Sequence, residues 1–328
     1  MPVGLDIGTC FIVGCRQEGD SLVYKLQRDG FFTIEAETPM NARFIEQGLV
    51  KSGANFFRKE SKFFVIGEEA LEKALERRAV LQRPLHQGVI NSREPEALEM
   101  IKHIIGGVLG EPQTPGEKCV YSVPEKPIDQ EFDVVYHENI LNAILSGLGY
   151  TGEPINEAEA VAYAELMDDG LTGLSISFGA GMCNFAVMSS GKSDIRFSVA
   201  KGGDWIDEKV ALSLGLTPTL VQAEKEQNLN ILSPSGKVQE ALSIYYKHFV
   251  RVVVREASNR LLGFTALPTF SSPIPVAISG GTSMPEGFVE EVKAAFVESG
   301  FPIPISEVRR SASPLEAVAK GCYLAASL

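Results

Sequence analysis

Four short stretches of the 328-residue chain carry the residue types from which a phosphate-handling site is built. In the first, Val3, Leu5 and Ile7 alternate with small or polar residues. Gly8-Thr9-Cys10 interrupts them, and Phe11, Ile12 and Val13 resume the apolar run. That pattern predicts a β-hairpin with a tight turn. Gly8 lets the backbone turn sharply and brings amide N–H groups close to a ligand. Thr9 adds a hydroxyl donor, and Asp6 stands where a carboxylate can reach a hydrated Mg²⁺ beside a phosphate. Residues 174–188 repeat the pattern around Gly179-Ala180-Gly181, with Phe185, Ala186 and Val187 as the returning run. A helix entry, Ile155-Asn156-Glu157, lies between the two hairpins. The fourth stretch is a strand at 275–279 that runs straight into Gly280-Gly281-Thr282-Ser283-Met284-Pro285.

These stretches need elements to position them. Residues 68–80 read as a helix with Ala70, Leu71, Ala74 and Leu75 on one face, broken at Arg83-Pro84-Leu85. Residues 94–109 carry a helical stripe of Leu98, Ile101, Ile104, Ile105 and Val108. Then come a buried-type strand at 118–123, a helix at 132–148 closed by Gly149, and an alanine-rich helix at 157–167. Thr217-Pro218 starts a helix. A long helix at about 237–262 presents Ala241, Tyr245, Phe249, Val252 and Leu261. Helix 286–299 ends at Gly300, and Ser313-Pro314 caps a last helix, 315–326. The weakly alternating 21–32 segment and the aromatic 51–64 segment read as a smaller, more exposed piece of sheet. Strands alternating with helices indicate α/β layering. Two matching hairpins, one in each half, indicate two related domains facing a shared ligand.

Composition narrows the partners. A hydrophobic share of 45% and a charged share of 22% are those of a soluble globular protein, and the length accommodates two domains. A net charge of −12 disfavours a nucleic-acid surface and electrostatic attraction to anionic lipid. A phosphate must then be held by backbone amides, Mg²⁺ and a few lysines. Five scattered cysteines without zinc-finger spacing favour a reducing, cytoplasmic compartment. The four histidines stand apart from one another, and none is assigned a role. No run reaches the roughly 18 apolar residues of a membrane span. The chain enters its first strand at once, so neither signal peptide nor membrane anchor is expected.

In order and spacing, these stretches resemble the five motifs of the actin-like ATPase superfamily, which includes actin, the bacterial actin MreB and the ATPase domain of DnaK-type chaperones. Residues 6–11 resemble the phosphate-1 loop, 155–164 the first connecting helix and 175–187 the phosphate-2 loop. Residues 278–285 resemble the adenosine motif and 313–321 the second connecting helix. The resemblance spans the whole chain. It is especially marked to MreB-like bacterial actins through Val65-Ile66-Gly67-Glu68-Glu69-Ala70, Arg83-Pro84-Leu85, Gly88-Val89-Ile90 and Gly202-Gly203-Asp204.

The resemblance implies an actin-like ATPase fold of the α/β class, with two RNase H-like domains around a nucleotide cleft, each carrying a smaller inserted subdomain. Domain I is expected over 1–156 plus 311–328, with its subdomain at about 32–84. Domain II is expected over 157–310, with its subdomain at about 205–263. The implied ligand is ATP or ADP with Mg²⁺. Gly8, Thr9, Cys10 and Phe11 of one hairpin, and Ser177, Gly179, Ala180, Gly181 and Met182 of the other, would cradle its phosphates. Asp6 would hold Mg²⁺ through water, Glu157 would orient the attacking water, and Gly203 and Asp204 would add to the cleft. Gly280, Gly281, Thr282 and Met284 would let the backbone approach adenine and ribose. Lys225 with Glu224, or Glu226, would contact the ribose.

The chain departs from the superfamily at one telling position. The phosphate-2 loop ordinarily begins with Asp, a second handle on Mg²⁺ and the nucleophilic water. Here the position is Ser177, which brings no charge. Slow hydrolysis despite competent binding is expected, unless Asn184 or Asp204 takes over. The reading is an ATP-binding, cytoplasmic, actin-like protein whose chief partner is itself, in cytoskeletal filaments joined through the small subdomains. A cytoplasmic adaptor is a second candidate partner, and neither nucleic acid nor a direct membrane anchor is expected. The rival readings are a monomeric scaffold or chaperone-type ATPase domain, and a small-molecule kinase of the same fold.

Overall fold

The chain opens with an antiparallel meander of β1 (Val3–Ile7), β2 (Phe11–Glu18) and β3 (Ser21–Arg28). A small unit follows: β4 (Phe31–Glu35), α1 (Pro39–Ser52), β5 (Phe56–Lys59), β6 (Lys62–Ile66) and α2 (Glu68–Glu76), its sheet ordered β4-β6-β5. A ribbon of β7 (Leu85–His86) and β8 (Val89–Ile90) leads to α3 (Ala97–Leu109), β9 (Glu117–Val123), α4 (Val135–Gly147) and β10 (Tyr150–Asn156). Helix α5 (Glu157–Glu165) crosses to a second meander, β11 (Gly173–Phe178), β12 (Cys183–Ser189) and β13 (Lys192–Val199). Then come α6 (Gly203–Leu214), α7 (Pro218–Lys225), α8 (Lys237–Leu262), β14 (Ile274–Ser279), α9 (Phe288–Ser299), β15 (Ile305–Arg310) and α10 (Ala317–Ser327). This computed structural model describes residues 2–327; Met1 and Leu328, the outer ends of the expected domain I, lie outside them.

The two large sheets have one plan, β3-β2-β1-β9-β10 and β13-β12-β11-β14-β15. In each, the first strand of the hairpin is central. It pairs antiparallel with its hairpin partner and parallel with the strand on its other side. The repetition seen in the hairpin sequences thus extends to whole sheets.

Side chains alternate across a strand, and this alternation positions the site. Val3, Leu5 and Ile7 pack into a core with α3 and α4, and Leu174, Ile176 and Phe178 into a core with α6, α8 and α9. The opposite faces carry Gly4 and Asp6 in one sheet and Ser175 and Ser177 in the other. They look into a layer made by α5 and α10. Ser175 Oγ donates to the Ala158 carbonyl of α5 at 2.7 Å. A Cβ on Gly321 of α10 would overlap the Ala160 carbonyl, and one on Gly4 would overlap the Ala319 carbonyl. Small residues here bring helix and strand backbones together at the density of a close-packed interior.

Several expectations change. Leu98, expected on the apolar stripe of α3, is exposed. Residues 21–28 form the edge strand of the first large sheet rather than part of the small one, with Val23 and Leu26 left exposed. Helix α2 stops at Glu76, because Arg78 takes a left-handed backbone (φ 52°). On α8 the core face includes Tyr246 and Val253, one position on from Tyr245 and Val252. The last helix begins at Ala317, whose N–H donates to the Ser313 carbonyl, so Ser313-Pro314 sits in the preceding turn. Among the described residues, no helix is long and apolar enough to cross a membrane.

Candidate functional site

The two hairpins are built alike. Ile7 pairs with Ile12 and Phe178 with Cys183, leaving four-residue loops 8–11 and 179–182. In each, the N–H of the first glycine donates to the carbonyl of the fourth residue: Gly8 to Phe11 at 3.1 Å, Gly179 to Met182 at 2.9 Å. A Cβ on either glycine would lie 2.8–2.9 Å from that carbonyl oxygen, so the turn has no room for a side chain there.

Other partners fix which way the loop peptides point. The Gly179 carbonyl accepts from Gly203 N at 3.1 Å and Thr282 Oγ1 at 2.8 Å, and the Ala180 carbonyl from Asp204 N at 2.9 Å. In the first hairpin the Cys10 carbonyl accepts from Asp29 N at 2.8 Å. In a planar trans peptide, C=O and N–H point in opposite directions. The N–H groups of Ala180, Gly181 and Phe11 are therefore directed away from these partners, in the manner of an anion-binding nest. The loops also touch. Thr9 Oγ1 accepts from Gly88 N at 3.0 Å, and a Cβ on Gly181 would come to 2.5 Å from both atoms.

Two carboxyl groups stand beside the loops. Asn156 caps α5, its side chain accepting from Ala158 N at 2.9 Å and Glu159 N at 3.3 Å. Glu157 is thereby free of the cap. Its Oε1 accepts from Ser177 Oγ at 2.5 Å and its Oε2 from Asn184 Nδ2 at 2.9 Å. Asn184 Oδ1 in turn accepts from Ser198 Oγ at 2.6 Å and Glu125 N at 3.2 Å. Asp6 Oδ1 accepts from Ser122 Oγ at 2.8 Å. Burial pushes the Asp6 carboxyl up to about 7, in spite of Ser122. Burial, and then the charge of Asp6, push Glu157 up to about 8. Among the described residues, neither has a basic side chain at ion-pair distance, and no three metal-ligating side chains cluster. Two recessed carboxylates that repel each other suit a hard divalent cation whose other ligands are water and phosphate.

The upper part of the cleft is gripped across the halves. Arg83 Nη1 meets both Asp204 oxygens at 2.7 and 2.8 Å, and its Nη2 meets Gln222 Oε1 at 2.7 Å. Arg28 Nη2 pairs with Glu226 Oε2 at 2.7 Å. Within the second half, Lys225 Nζ donates to Asp207 Oδ2 at 2.6 Å and to the Gly203 carbonyl at 3.2 Å. Burial alone would depress this ammonium, but Asp207 holds it above its ordinary value.

These parts surround one cavity of about 550 Å³. Asp6 and the 8–11 loop line it, as do Glu157, Ser177, the 179–182 loop, Asp204, Lys225, Gly280, Gly281, Thr282 and Met284. Gly203 and Glu224 do not. Gly203 lies behind the second loop, bonded to Gly179 and Lys225, and Glu226 rather than Glu224 reaches the lining. Asp204 has its carboxylate committed to Arg83, and Asn184 stands behind Glu157, off the lining. Gly280 is needed by the backbone itself: its φ is +90° and a Cβ would overlap the Phe178 backbone. Sequence reading missed Leu315, Val318 and Tyr246 on the lining; the Tyr246 hydroxyl is buried with no partner among the described residues. Leu315 and Val318 belong to the 313–321 stretch already singled out, which was not read as lining the cavity, whereas Tyr246 arrives by long-range packing that no local motif records.

Duplicated sheets, paired glycine loops and a shared cavity define the actin-like ATPase fold. Solved structures of low sequence identity share it. The chain is similar to MamK in its double helical filament (17% identity, 99% of this chain and 98% of that chain, TM-score 0.74). It is similar to MreB5 of Spiroplasma citri bound to AMPPNP (14% identity, 97% and 93%, TM-score 0.67). It is also similar to the ethanolamine utilization protein EutJ from Carboxydothermus hydrogenoformans (16% identity, 98% and 89%, TM-score 0.60). Among curated proteins none matches. The Volactin family model matches residues 1–326, and the chain belongs to that family.

Proposed function

We propose that this chain is an ATP-binding, filament-forming actin-like protein that hydrolyses nucleotide slowly. The observation that carries the reading is the convergence of both glycine loops and the 280–284 turn on one 550 Å³ cavity. The free N–H groups of the two loops would hold the β- and γ-phosphates. Lys225 and Glu226 would face the ribose, and Gly281 would leave room for the base and sugar. Mg²⁺ would be held through Asp6 and water, and when bound it supplies positive charge to the phosphates. Glu157 would orient the attacking water. Ser177 adds a hydroxyl where a carboxylate would add charge, so turnover is slow and occupancy governs assembly. The cleft divides a domain of 1–156 plus 311–328 from one of 157–310.

Self-assembly is supported by the shared fold with MamK, which forms a double helical filament. Head-to-tail contacts make open filaments when the rotation does not close. Two measurements test the reading. Calorimetry with ATP·Mg²⁺ should show binding that Gly281→Trp abolishes; a Cβ there meets the flexible Leu315 side chain at 3.2 Å and no backbone. Unchanged affinity would put the ligand elsewhere. Pelleting and negative-stain microscopy should show nucleotide-dependent filaments in the cytoplasmic pH range. A chain that stays monomeric by light scattering in every nucleotide state would favour a monomeric scaffold.

A further inference from the structure

A polar row crosses the inner face of the second sheet. Ser177 pairs with Asn184 across β11 and β12, and Asn184 pairs with Ser198 across β12 and β13. All three are almost wholly buried. The matching row of the first sheet is Asp6, Val13 and Leu26. The duplicated frame therefore accepts apolar side chains at the second and third positions. Burying an amide and a hydroxyl there is unfavourable unless each polar atom finds a partner, and the partner they lead to is Glu157.

We infer that Asn184 is a positioning residue for Glu157: together with Ser177 it clamps the two carboxylate oxygens and holds them in one orientation toward the cavity. Because its consequence is orientation of the attacking water, the inference rests on the nucleotide reading above. The direction of the amide follows from its surroundings. The Glu125 backbone N–H can only donate, so the Asn184 atom facing it at 3.2 Å is the oxygen, and the NH₂ group must face Glu157. Ser198 Oγ lies 2.6 Å from the same oxygen and 2.8 Å from the Glu125 carbonyl, and its one proton serves either. Each Glu157 oxygen receives one donor, 2.5 Å from Ser177 and 2.9 Å from Asn184, and keeps a lone pair for water. With either donor gone, one carboxyl oxygen loses its fixed partner and the group is free to turn. Asn184 itself stays off the cavity lining and acts only through Glu157.

The test uses Asn184→Leu, which keeps the branched outline at a larger volume and removes the donor, and Ser198→Ala, which removes one of the two neighbours of the Asn184 oxygen. The expected result is a fall in kcat for phosphate release on the order of tenfold to hundredfold in Asn184→Leu, with KM and calorimetric affinity for ATP·Mg²⁺ within about threefold of the parent. Ser198→Ala should lose less, along the same axis. Crystal structures of parent and Asn184→Leu with AMPPNP and Mg²⁺ should show the Glu157 carboxylate turned in the variant. An unchanged kcat with Glu157 in place would overturn the inference. If the parent binds nucleotide without turning it over, the hydrolysis reading fails, and the orientation of Glu157 in the two crystal structures decides. If the parent binds no nucleotide, the ligand-free structures decide in the same way. A purely structural role for Asn184 would lower stability without separating kcat from KM.

Discussion

The two hairpins share their geometry and divide their chemistry. Each has a four-residue loop closed by the same hydrogen bond, and each has a side chain two residues before the first glycine that faces α5 and α10. In the first hairpin that side chain is Asp6, which receives a hydrogen bond from Ser122. In the second it is Ser177, which gives one to Glu157. One hairpin presents a carboxyl group at this position and the other a hydroxyl. The loops differ too: Gly181 is pressed against Thr9 and Gly88, whereas its counterpart Cys10 carries a side chain. A duplicated frame thus tolerates unlike residues wherever the second copy meets the first.

The largest test of that comparison is an exchange at matching positions. Gly181→Val should destabilise the protein by about 3 kcal/mol in urea unfolding, because its side chain would be driven into the opposite loop. Cys10→Gly should cost less than about 1 kcal/mol. Equal effects would mean that the loops do not press on each other. Next in size is the charge. Asp6→Ala should weaken ATP·Mg²⁺ binding on the order of tenfold or more, while Ser177→Ala leaves it within a few-fold and acts on turnover; calorimetry and phosphate release separate the two.

A smaller effect is expected with pH. Folded Asp6 and Glu157 keep their protons up to about 7 and about 8, against ordinary values of 3.8 and 4.5. Between those limits the folded state binds more protons than the unfolded one, so stability falls as pH rises through the window. Ligand-free protein should therefore melt lower near pH 8 than near pH 5, and Glu157→Gln should flatten the difference more than Ser177→Ala. A melting temperature that climbs toward pH 8 would contradict the paired-carboxyl picture. Smallest of all, Lys118→Ala breaks an exposed pair with Glu153 on neighbouring strands and should move stability by no more than about 0.5 kcal/mol.

Much of this was legible in residue order. Alternation around Gly8 and Gly179 foretold both hairpins, and the position of Asp6 foretold the first carboxylate. The helix start at Glu157 was legible, but the sharing of work with Asn156 was not, because a cap and a site residue look alike until the N–H partners are known. The choice between Glu224 and Glu226 depended on which way α7 turns in the cleft. The grips by Arg28 and Arg83 join residues far apart in sequence, and no local pattern carries them. The buried face of α8 slipped by one position because a helix enclosed on several sides has a wide apolar stripe.

Seating α10 on β1 bears on how the chain is made. The second sheet is drawn from one continuous stretch, 173–310, and can close its core while synthesis proceeds. The first sheet cannot. Val13 and Cys15 are covered by Ala319 and Tyr323, and the Tyr323 hydroxyl donates to Gln17 at 2.6 Å, so this face waits for residues from the far end of the described chain. The strand that bears Asp6 is made well before α10 and stays uncovered on this face until α10 follows. Until α10 arrives, the nascent protein has a finished second half beside an open apolar sheet, and that half-built state is where a holding chaperone or a protease would find it.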